Sequence, residues 1–111
     1  MHPDDRQCFL LAEFIENSAF REEHLRNFPR SEFKNLYALD VFNTIRKVAF
    51  ENVEPVTYAS VAERCTSYGQ TAEWWLEYLL KVKATADQLK QRLGTICCRP
   101  QLVYTLGLSL D

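Results

Sequence analysis

The chain has 111 residues, 47% hydrophobic and 25% charged, with a net charge of −2. That composition excludes a disordered or fibrous chain and fits one domain able to bury a core without metal or disulfide staples. The net charge gives no general affinity for nucleic acid, no apolar run reaches the length of a membrane span, and the acidic start MHPDDRQ has no apolar core of a secretory signal.

Pro3 and Asp4 open the first predicted helix, with acids at its positive end. Cys8, Leu11, Ala12, Ile15 and Ala19 follow the rhythm of a buried helical stripe, and Phe9, Phe14 and Phe20 widen it. The helix either breaks near Asn17-Ser18 or continues through Leu25 to Phe28, and Pro29 ends it. Ser31 is a candidate N-cap for a second helix over 32–51. Its broad apolar face (Phe33, Leu36, Tyr37, Phe42, Ile45, Val48, Ala49) predicts a central position.

Thr57 caps a short helix over 58–66, with Val61, Ala62 and Cys65 inward, and Gly69 supplies the turn after it. The next helix starts near Thr71 and either runs unbroken to Leu93 or bends near Ala84-Thr85. Trp75, Leu79 and Val82 form its core stripe. Trp74 projects about 100° away from Trp75, with Tyr78 four residues on and on the same face, which makes Trp74 and Tyr78 a candidate interface. After Gly94 the period changes. TICCR–PQ–LVYTLGL, residues 95–108, is rich in β-branched and aromatic residues and predicts a hairpin.

The predicted class is therefore mainly α (α+β): a helical bundle with a C-terminal β-hairpin in one domain, residues 1–30 a helical extension and 32–110 the core. The order of elements from Leu36, the segment VTYASVAERC and the tail LKQRLGTICCRPQLVYTLGLSL resemble a winged helix-turn-helix domain of OmpR type. The resemblance implies that 85–93 is a recognition helix and 95–108 a wing. FNTIRKVAFENVEPVTYASVAERC is also similar to the winged-helix half of DNA alkyltransferases, but their Pro-Cys-His-Arg motif is absent and alkyl transfer is not implied.

Charge supports a cationic C-terminal face. Lys81, Lys83, Lys90, Arg92 and Arg99 face only Asp87 and Asp111 within 81–111, whereas residues 1–56 are net acidic. On the resemblance, Gln88, Lys90, Gln91 and Arg92 read base edges of double-stranded DNA, and Lys81, Lys83 and Arg99 sit on phosphates. The ordinary alternative is that these residues are the wet face of an amphipathic helix. A protein-interaction module is the competing expectation, and a homodimer through the N-terminal helices is compatible with either.

Cys8, Cys65, Cys97 and Cys98 lack zinc-ligand spacing, since Cys97 and Cys98 are neighbours that point to opposite sides of a strand. They read as reduced thiols in a cytoplasmic protein. No hydrolase, nucleotide-binding or metalloprotease motif is present, so neither an enzyme nor a cofactor is expected.

Overall fold

The computed structural model describes residues 3–92, which form five α-helices and two short 3-10 turns. Helix α1 spans Pro3–Glu16, α2 Ser18–His24, α3 Leu36–Glu51, α4 Tyr58–Arg64 and α5 Ala72–Arg92, with 3-10 turns at Arg30–Glu32 and Ser67–Gly69.

The centre of the fold is α1. Every residue from Phe9 to Ile15 is buried, and seven consecutive residues cover the whole circumference of a helix. It packs against α2, α3 and α5, while α4 is held between α3 and α5. This corrects the expectation that the second long helix is central. Helix α3 buries one side, through Ala38, Val41, Phe42, Ile45 and Val48, and turns Leu36, Lys47 and Phe50 outward.

Phenylalanine rings fill the space between α1, α2 and α3. Phe14 lies 4.9 Å from Phe20, 5.1 Å from Phe28 and 5.6 Å from Phe42, and Phe33 stacks on Phe42 at 4.7 Å. Offset and edge contacts of this kind add to what burial of the ring area already contributes.

The helix ends follow their capping chemistry. Asn17 separates α1 from α2 at extended φ/ψ, and its Oδ1 accepts from Phe20 N at 3.0 Å. Arg21 then closes the end of α1, donating from Nη1 to the carbonyls of Phe14 and Ile15 at 2.8 and 3.0 Å. Helix α3 begins at Leu36 rather than at residue 32. Asn35 displaces Ser31 as its cap because it accepts from Tyr37 N and Ala38 N while its own N–H donates to Gln7 on α1. Thr57 caps α4 as predicted, in a reciprocal box with Ser60.

The fold class is corrected. An all-helical domain takes the place of the winged-helix-like α+β body, and no strand occurs among the described residues. The reason lies in α5. It passes Ala84 and Thr85 without a break, and Trp75, Leu79, Val82, Ala86 and Leu89 form one buried stripe. Residues 85–92 are thus the second half of a core helix packed on α1, not a separate reader. The hairpin expected over 95–108 lies outside the described residues, as do Arg99, Cys97 and Cys98.

Candidate functional site

The turn before α5 and the first turn of α3 build an aromatic surface. Thr66 ends the stretch after α4, and the chain reverses through Tyr68 and Gly69, both with left-handed backbone (φ 61 and 68). Thr71 starts α5, its Oγ1 accepting from Trp74 N at 3.1 Å. Trp75 is then fully buried, whereas Trp74 is half-buried and stacks on Tyr78 with ring planes 5° apart and centroids 5.9 Å apart.

Tyr37 joins these rings from α3. Its centroid is 5.1 Å from Tyr68, 5.4 Å from Trp74 and 6.0 Å from Tyr78. Tyr68 is 53% exposed and the neighbouring Leu36 on α3 63% exposed. Tyr78 also borders a groove of about 200 Å³, lined further by Cys8, Asn35, Ala38, Lys81 and Thr85. The result is a set of rings locked against one another, with an apolar groove at one side.

The sequence-predicted pair Trp74 and Tyr78 therefore lies at the heart of this surface. Tyr37, Tyr68 and Leu36 were missed. Leu36 and Tyr37 read as part of the α3 core face, and Tyr68 as part of a turn. The available signal was the density of aromatics at two helix starts.

The residues predicted to meet DNA divide into two groups. Lys81, Gln88, Gln91 and Arg92 are exposed on α5. The described others, Lys83 and Lys90, are engaged within the chain. Lys83 donates to Asp87 Oδ2 at 3.1 Å, and this contact raises its pKa. Lys90 Nζ lies 3.7 Å from Glu13 Oε1. Spacings of four and three residues place Trp74, Tyr78, Lys81, Thr85, Gln88 and Arg92 along one stripe of α5.

Glu13 is the unexpected polar element. It has no exposed surface and accepts from Asn17 Nδ2 at 3.3 Å. A second polar cluster joins α1, α4 and α5. Tyr58 donates its hydroxyl to Glu16, and burial together with this bond holds the phenol well above its ordinary range. Arg64 on α4 clamps Glu51 and Glu54 at the end of α3. Among the described residues, no group of three or more His, Cys, Asp or Glu side chains could hold a metal ion, and no helix is long and apolar enough to cross a membrane.

No protein-family model, curated protein or solved structure matches the chain.

Proposed function

We propose that the chain is a non-enzymatic protein-interaction module that docks a partner protein on the surface formed by Tyr37, Tyr68, Trp74 and Tyr78. The observation that carries this reading is the parallel stack of Trp74 on Tyr78, extended by an exposed Tyr68 and Leu36 and bordered by an apolar groove. Tryptophan and tyrosine are the side chains that most often anchor protein interfaces, because they present a large rigid area at little entropic cost. Rings already fixed by one another lose little further freedom on docking.

The test begins with a photo-crosslinker at position 68 in the native host, followed by reconstitution with the purified crosslinked protein. Trp74→Ala/Tyr68→Ala weakens that complex at least about tenfold while the helical spectrum is retained. Unchanged affinity in the double variant removes the proposal. Self-association of the purified chain, broken by the same pair of changes, would make the partner a second copy.

A DNA-binding regulatory role is the second reading. Lys81, Gln88, Gln91 and Arg92 support it, being exposed on one helix. Its weakness is that only two of these four are cations, and phosphate contacts dominate the affinity of proteins for DNA. It expects retention of a duplex that falls steeply with salt and is lost in Lys81→Ala/Arg92→Ala.

A further inference from the structure

The outward side of α3 carries a second charge asymmetry. Arg30, Asn43, Arg46 and Lys47 line a depression of about 450 Å³ in which Asp40 is the one carboxylate. Asp40, Asn43 and Lys47 follow one another at three and four residues along α3. Arg30 comes from the 3-10 turn after Pro29.

Arg46 is pre-organised. Its guanidinium lies 5.8 Å from the centroid of Phe42 and 5.6 Å from that of Phe50, one turn back and one turn on. Nη2 makes a long contact, 3.4 Å, with the carbonyl of Arg26. A guanidinium carries five N–H donors in a fixed fork, and this contact is the one hydrogen bond of Arg46 among the described residues. Among the described residues, no carboxylate forms an ion pair with Arg30, Arg46 or Lys47. Three cations with one carboxylate among them still repel one another, and an anion between them relieves that repulsion.

We infer that this depression is a binding site for a small phosphomonoester. The excess of two positive charges in the lining matches a phosphate dianion, and the arginine fork matches its oxygens. The volume falls in the range of small-ligand sites and leaves room beyond the phosphate itself. Asp40 Oδ2 is buried with no hydrogen-bond partner among the described residues, so that oxygen is closed to a ligand and the carboxylate acts on a bound anion through its charge. Phe50, 54% exposed beside Arg46, offers an apolar edge for the ligand's carbon skeleton. The same Asp40 and Phe50 disfavour a long polyanion, whose successive phosphates would pass a carboxylate and an apolar ring.

The experiment is a titration of the full chain at low salt, read from the Arg46 side-chain N–H resonance and by calorimetry. Ribose 5-phosphate, inorganic phosphate, ribose and a short DNA duplex are the probes. Ribose 5-phosphate is expected to shift the Arg46 signal and to bind more tightly than phosphate, with ribose silent. Arg30→Ala/Lys47→Ala, two exposed positions with no part in the core, weakens ribose 5-phosphate at least about tenfold. Asp40→Asn removes the opposing charge and strengthens the binding of both phosphates. An unmoved Arg46 signal with both phosphates overturns the site. Equal binding by the Arg30/Lys47 variant overturns it as well. Phosphate binding unmoved in Asp40→Asn overturns the placement of the anion beside this carboxylate, and a duplex that displaces ribose 5-phosphate at lower concentration reassigns the surface to nucleic acid.

Discussion

The ammonium group of Lys90, near the end of α5, sits 3.7 Å from Oε1 of Glu13, a carboxylate with no exposed surface on the central helix. The pair links residues far apart in sequence, and Asn17 supplies a further bond to the same carboxylate. Removing the cation leaves a buried charge short of its compensation, which is costly even when the intact pair contributes little net stability. Lys90→Met is therefore expected to destabilise the fold by about 2 kcal/mol, below the usual cost for a fully buried pair because Lys90 is partly exposed and Asn17 remains. Glu13→Leu/Lys90→Met is expected to recover most of that loss. Urea denaturation of the single and double variants measures both values. Equal stability of Lys90→Met and the parent chain would release Lys90 as a free surface cation and return it to the DNA reading.

Tyr68 holds a left-handed backbone conformation, φ 61, that disfavours any side chain with a Cβ. Its ring is nevertheless kept at the surface against Tyr37, 5.1 Å away. Tyr68→Ala loses the ring and keeps the strain, whereas Tyr68→Gly loses the ring and the strain together. The glycine variant is expected to be more stable than the alanine variant by about 1 kcal/mol, the reverse of their usual order within helices. Thermal or urea midpoints of the two variants decide it, and an alanine variant equal to or better than glycine would show that the turn relaxes to another conformation.

What could be read from the chain was local. Thr57 with Ser60 three residues on marks the start of α4, and Trp75, Leu79 and Val82 mark the inner face of α5 by spacing alone. What escaped depended on partners far away. Ser31 and Asn35 are both good caps, and the contact from Asn35 N–H to Gln7, 28 residues earlier, favours the second. Glu13 looks like a solvated helix residue until α5 closes over it. Averaging charge over residues 1–56 hid Arg30, Arg46 and Lys47 behind acids that lie elsewhere on the fold. The winged-helix expectation rested on a β-type period beyond residue 92 and on reading 85–93 as a separate helix, where α5 instead continues unbroken with Ala86 and Leu89 buried.

Alkaline pH is expected to weaken the fold through two groups. Burial pushes the Cys65 thiol up to about 11, and burial with the Glu16 bond holds Tyr58 above the ordinary phenol range. Both groups keep their protons longer in the folded chain than in the unfolded one. Their stabilisation is thus complete below the unfolded pKa values and is lost as pH rises from about 9 through about 11 for the thiol and from about 10 upward for the phenol. The urea midpoint should fall between pH 8 and pH 10.5. Cys65→Ala removes the earlier part of that fall and Tyr58→Phe the later part, so a slope unchanged in both variants would exclude these groups as its origin. In the folded chain at pH 8, Cys65 should resist thiol reagents until the chain unfolds.

Arg21 closes the central helix from outside it. Its Nη1 bonds the carbonyls of Phe14 and Ile15, groups that α1 cannot satisfy itself because the chain turns at Asn17. Burial lowers the Arg21 pKa, yet a guanidinium stays protonated throughout the working range, so the two bonds persist at any ordinary pH. Arg21→Ala leaves two helix-end carbonyls without these donors at the seam between α1 and α2, and the expected cost is about 1–2 kcal/mol. Arg21→Lys should recover part of this, since an ammonium on a shorter stem can reach one carbonyl more easily than two. Amide exchange distinguishes this from a general loss of packing. The amides of α2 should open first in Arg21→Ala, while those of the buried α5 stripe keep most of their protection. Uniform loss of protection across α1, α2 and α5 would mean that Arg21 supports the whole core rather than the end of one helix.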